Sequence, residues 1–254
     1  MNILTILALF LIAAFASAET PAEPVQFFAQ VFRHYGTTNP PSIVHLTHGV
    51  VTGYRHVVVP ATLINNVNVE EIRVYLQSTE FRKADDIRTV EERFIHPDFA
   101  ATNPNANNIA VLHLSESELD ANEIAPRNLG ALSAAACTIY GFEGWHPSLT
   151  TRPITVSDTE CGPNVPFCAS FNMTAAQREG YIGSPVLCEN QDYVAGIATR
   201  DVDWSPETIP LVRLNFISIE SYQDWIRYVS GARLSTQVSL ILITLGVVLG
   251  KILL

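Results

Sequence analysis

A chain of 254 residues with 25 acidic against 15 basic side chains carries a formal charge of −10, which repels polyanions and argues against a nucleic-acid or anionic-lipid partner. Apolar residues make up 48% of it, enough for a sizeable core, and the length admits one large all-β domain or two fused barrels.

The chain begins with an almost wholly apolar stretch from Ile3 to Phe15, followed by Ala16-Ser17-Ala18. That stretch is short of the roughly 20 residues that span a bilayer, and the small-x-small ending is what a signal peptidase accepts, so residues 1–18 read as a cleaved signal peptide. Short β-branched or aromatic runs follow, among them Val25 to Phe32, Gly49 to Val59, Ile72 to Leu76 and Tyr193 to Ala198. They are separated by Asn39-Pro40-Pro41, Asn103-Pro104-Asn105, Gly162-Pro163-Asn164 and Ser205-Pro206. Runs of this kind bounded by breakers predict short antiparallel strands, hence an all-β sandwich or barrel. One helix is predicted over Ile219 to Val229, where Ile219, Tyr222, Trp225, Ile226 and Val229 recur at helical spacing.

After the helix come Ser230-Gly231-Ala232, a polar spacer from Arg233 to Gln237, and an apolar tail from Val238 to Leu254. This is the layout of a GPI signal, with residues 19–230 as the mature domain, lipid attached at Ser230 and residues 231–254 removed; a retained membrane helix is the alternative. Only Lys251 lies near the end of the tail and nothing basic follows it, against the usual cytoplasmic flank of a single span. Losing Arg233 and Lys251 takes the mature charge to −12. The expected location is the outer face of the plasma membrane, or the medium.

Cys137, Cys161, Cys168 and Cys188 form an even set in a chain routed through an oxidising compartment, where disulfides are the default. No pair has zinc-knuckle spacing. His45 and His48 make an H-x2-H pair with His56 nearby, but on a regular strand residues three apart point to opposite faces, so no metal site is expected, and no cofactor. Asn172-Met173-Thr174 is the N-glycosylation sequon.

The order of several motifs carries more than any one of them. Phe94-Ile95-His96-Pro97-Asp98-Phe99, an Asn-rich gap and Asn108-Ile109-Ala110-Val111-Leu112-His113-Leu114 resemble the trypsin family's "I-x-H-P-x-Y... N-D-I-A-L-L-x-L". Cys137-Thr138-Ile139-Tyr140-Gly141-Phe142 is similar to "C-x-x-x-G-W", Phe167-Cys168-Ala169 to "F-C-A", and Gly180-Tyr181-Ile182-Gly183-Ser184-Pro185 to "G-D-S-G-G-P". The resemblance runs from about Val25 to Val229 and implies two six-stranded antiparallel β-barrels with a cleft between them. It also implies Cys137 bonded to Cys188 and Cys161 to Cys168. Leu46 and Leu63 stand where one familiar bridge is missing, and Arg178 marks the loss of another.

The catalytic positions are the ones that depart. Val58-Val59-Pro60-Ala61-Thr62-Leu63 resembles "V-L-T-A-A-H-C" with Thr62 at the histidine, Asn108 replaces the aspartate and Ile182 the serine. Such chemistry needs a hydroxyl nucleophile, an imidazole base and a carboxylate that orients it, and none of the three survives. An oxyanion hole from the N–H groups of Gly180 and Ile182 is expected to remain. Tyr181 replaces the aspartate that pairs with a freed N-terminus, and Ala176 falls near the place of a trypsin's pocket acid. Ser184, with His56 as a loose candidate base, is the rescue nucleophile to consider. The resemblance therefore implies a catalytically inactive extracellular homologue that binds an unidentified protein or peptide; a hydrolase with non-standard residues is the alternative.

Overall fold

The computed structural model describes residues 25–36, 40–116, 128–143, 146–159, 161, 165–172, 179–188, 193–200 and 211–231, the side chains of 171, 172, 200, 211 and 212 excepted. The signal segment, the apolar tail, Ala176 and Arg178 lie outside these residues.

Six strands make the first barrel: β1 (Phe28–Tyr35), β2 (Ser42–Gly53), β3 (His56–Val59), β4 (Ile72–Leu76), β5 (Asp86–Ile95) and β6 (Ala110–Leu114). They run in the order β1-β2-β3-β6-β5-β4 and close through β1 against β4, every pairing antiparallel. Closure removes the free edges that would otherwise template strand addition. β6 is buried along its whole length because both faces are covered: Ala110, Leu112 and Leu114 fill the barrel while Val111 faces the second domain half. Its near-continuous apolar run is the signature of such a strand.

The second half is built from β7 (Asn128–Leu129), β8 (Ala136–Gly141), β9 (Thr150–Thr155), β10 (Phe167–Asn172), β11 (Pro185–Cys188), β12 (Tyr193–Arg200) and β13 (Leu211–Ser218). Six of them form a sheet in the order β10-β13-β12-β11-β8-β9, and β7 adds a short parallel pairing to β12. Among the described residues the two ends of the sheet meet at one bridge, between Ser157, just past β9, and Cys168 on β10. Cys137 and Cys188 are direct cross-strand partners on β8 and β11 and are bonded, as are Cys161 and Cys168. Both pairings are those the family resemblance implies.

Each barrel has its own apolar core, and a third cluster joins them. Val50, Val58, Ile109 and Val111 from the first half meet Leu187, Val194, Ile197 and Ile217 from the second. A single 3-10 turn, Glu220–Tyr222, leads into a helix over 223–231. Ile219, Ile226 and Val229 bury into the joint, as their spacing predicts.

One irregularity matters for the site. On β1, Val31 pairs with Thr47 but Phe32 pairs with His45, so Leu46 is an extra residue in β2. A bulge of this kind shifts the alternation of side chains by one. His45 and His48 therefore share a face, with ring centroids 4.5 Å apart, which corrects the expectation from regular strand geometry. Leu46 turns to the first barrel's core while Leu63 packs against the second's.

Candidate functional site

Thr62, Asn108 and Ile182 come from three separate elements and converge on one cavity. Thr62 lies in the 3-10 turn Ala61–Leu63 that follows β3, Asn108 precedes β6, and Ile182 sits in the turn leading into β11. The cavity measures about 140 Å³ and is lined by Pro60, Thr62, Leu63, Pro104, Asn108, Ile182 and Thr199. A larger hollow of about 480 Å³ opens between β4 and β5 beside Glu80, Arg82, Lys83 and Asp85; it holds none of the three residues.

The polar groups at the cavity face each other. Asn108 Oδ1 accepts both the Thr62 backbone N–H and the Thr62 hydroxyl, each at 2.8 Å. A threonine hydroxyl so engaged has no basic lone pair near neutral pH, and Ile182 carries no nucleophilic atom. Ile182 is 3% exposed and belongs to the second barrel's core.

The turn that carries Ile182 is held from both sides. On one side His48 N–H donates to the Ile182 carbonyl at 2.9 Å and Thr47 Oγ1 donates to it at 3.2 Å. Gly183 is required there: its φ is +84°, and a Cβ would stand 2.1 Å from the His48 carbonyl oxygen. On the other side Tyr181 is fully buried and its hydroxyl donates to Glu143 Oε2 at 3.1 Å, while Arg152 pairs with Glu143 Oε1 at 3.1 Å. Burial pushes the Tyr181 phenol up to about 12. Gly180 packs so tightly on this side that a Cβ would lie 1.9 Å from the Phe142 carbonyl oxygen.

One of the two expected oxyanion donors is turned away. Ile182 N–H donates to the Glu179 carbonyl at 3.4 Å, so the residues from 179 to 182 form a closed turn whose donor points inward. A hole needs that N–H aimed at the position of a developing negative charge.

The rescue arrangement is corrected as well. Ser184 contacts His48, Oγ to Nδ1 at 3.3 Å, and both residues are 0% exposed. His56 is occupied elsewhere, 2.9 Å from His113 Nδ1 across β3 and β6. Sequence spacing missed the serine–histidine contact because it depends on the Leu46 bulge. Burial holds the His48 imidazole far below its usual range, with His45 adding to the effect, and holds His45 down to about 3. Among the described residues no group of three His, Cys, Asp or Glu side chains is arranged to hold a metal.

Asn172 ends β10 opposite Leu211, and the rest of its sequon lies outside the described residues. Ser230 falls in the last turn of the helix, half-buried. No helix among the described residues is long and apolar enough to cross a membrane.

A closed six-stranded barrel and a second, mostly antiparallel half-barrel, with the three positions contributed by both, define a chymotrypsin-type fold. The trypsin family profile matches residues 17–226, and the chain belongs to the trypsin family. A scabies mite inactivated protease paralogue superposes with a TM-score of 0.65 at 18% identity, covering 84% of this chain and 97% of that one. HL collagenase superposes with a TM-score of 0.64 at 17% identity, covering 83% and 96%. No curated protein matches the chain.

Proposed function

We propose that this chain is a non-catalytic member of the trypsin family that acts outside the cell, at the cell surface, as a binding or regulatory protein. The observation that carries this reading is the convergence of Thr62, Asn108 and Ile182 on one cavity, with the positions kept and the proton-handling groups gone. The closed turn at Glu179 and Ile182 supports it, since even a restored nucleophile would lack one oxyanion donor. The neighbour described as an inactivated protease paralogue is a precedent for the same scaffold without activity. The acidic surface favours a neutral or basic protein or peptide partner over nucleic acid.

A fluorophosphonate probe on the purified protein tests the reading. No serine is expected to label. Labelling at Ser184 would establish the alternative, a hydrolase with non-standard residues, and would require the buried Ser184–His48 pair to open to solvent.

A further inference from the structure

We propose that the cavity at the three altered positions is itself a binding site, for one leucine-sized aliphatic side chain of an extended polypeptide partner. This deepens the non-catalytic reading and rests on it.

The lining sets the chemistry. Three of the lining residues already have polar groups engaged: Asn108 Oδ1 accepts from the Thr62 N–H and hydroxyl, and the Thr199 hydroxyl donates to the Asn215 carbonyl at 3.2 Å. Pro60, Leu63, Pro104 and Ile182 complete the wall with hydrocarbon. A void walled mostly by hydrocarbon, with few open hydrogen-bonding partners, holds water poorly and favours an apolar guest.

The size sets the class. About 140 Å³ is close to the ~150 Å³ apolar cavity that takes a benzene-sized guest. It is well below the roughly 300–1,000 Å³ of sites that enclose a whole small molecule. The cavity therefore receives one side chain of a larger partner. A methyl group underfills it, and an indole or a charged head does not suit it. Thr62 is exposed at its mouth, so the rest of the partner lies along the surface, where the net charge of −10 favours flanking lysine or arginine.

The test uses acetylated, amidated Gly-Lys-Xaa-Lys-Gly peptides with leucine, alanine or tryptophan at Xaa, titrated against the purified protein by calorimetry and by methyl NMR. Leucine is expected to bind roughly tenfold or more tightly than alanine, and tryptophan no better than alanine. Thr62→His refills the space with the imidazole that the family scaffold already accommodates, and should erase the leucine preference; Thr62→Ser should keep it. Equal binding of leucine and alanine, no binding of either, or a leucine preference that survives Thr62→His would each overturn the proposal. Those results leave the non-catalytic reading standing, because that reading fails only on labelling by the fluorophosphonate probe.

Discussion

Tyr181 donates its hydroxyl to Glu143 Oε2 at 3.1 Å, joining the turn before β11 to the segment after β8. In the trypsin-family pattern the residue at this position is an aspartate that waits for a freed N-terminus. Here a phenol reaches a carboxylate of the same chain, and Arg152 balances that carboxylate from the other side. The turn is thus organised without any cut in the chain.

Restoring the three catalytic residues should accordingly restore little. Thr62→His, Asn108→Asp and Ile182→Ser made together are expected to give peptide hydrolysis at least ~100-fold slower than an ordinary trypsin-like enzyme, since losing one oxyanion donor alone costs about 10² to 10³. Steady-state kinetics on a panel of short fluorogenic peptides measures this. A triple variant of ordinary speed would show that the turn at Glu179 reopens freely.

Acid should destabilise the fold. His48 is buried and its imidazole is depressed well below 6.5 by loss of solvent and by its neighbour His45; His45 is depressed to about 3 by burial and then by Arg82. His56 is depressed to about 4 by burial first, then by His113 and Arg55. A group whose folded value is lowered contributes stability that is present above its unfolded value near 6.5 and is lost as pH falls toward the folded value. Thermal stability should therefore fall steadily from pH 6.5 to pH 4, by about 1.4 kcal/mol per pH unit for an imidazole that carries the full difference. His48→Asn should flatten the slope. A melting temperature that is level or rises over this range would contradict the assignment.

The two disulfides should differ in worth. Their sequence separations are 51 for Cys137–Cys188 and 7 for Cys161–Cys168. In the chain-entropy account these correspond to about 4 and about 2 kcal/mol. Denaturant unfolding of the paired alanine variants, Cys137→Ala with Cys188→Ala and Cys161→Ala with Cys168→Ala, ranks them. The reverse order would mean that strain or residual structure in the unfolded chain dominates.

The mature protein is expected on the outer membrane face through a lipid at Ser230. Ser230 lies in the last turn of the helix, and the lipid is joined to the carboxyl freed when the chain is cut after it, so attachment requires that turn to unwind. Phosphatidylinositol-specific phospholipase C should release the protein, and a chain ending at Val229 should be secreted. Retention after the phospholipase, with the final residues still detectable by antibody, would identify a membrane helix instead.

Alternating apolar runs between breakers made short antiparallel strands legible, and an even set of cysteines made disulfides legible; the two barrels, the two pairings and the positions Thr62, Asn108 and Ile182 were legible only through the ordered motifs shared with the trypsin family. What escaped depends on relations between strands or on peptide orientation. The extra residue at Leu46 changes no composition, yet it brings His45 beside His48 and His48 beside Ser184. The direction of the Ile182 N–H is a backbone torsion, which leaves no mark on residue type. Helical spacing placed Ile226 and Val229 correctly, whereas it could not show that Tyr222 would reach Asn107 Oδ1 at 3.1 Å, next to one of the altered positions.

The Ser157–Cys168 bridge gives the second barrel a seam that the first does not have. Along that seam the segment just past β9 meets β10 at an isolated bridge, and the Cys161–Cys168 bond is the covalent stitch beside it. Reductant would remove the stitch beside two strand borders on a protein whose first half, a closed barrel, has none. Strand borders of this kind are where a further strand can add, and the bond that lies beside them persists only in an oxidising environment.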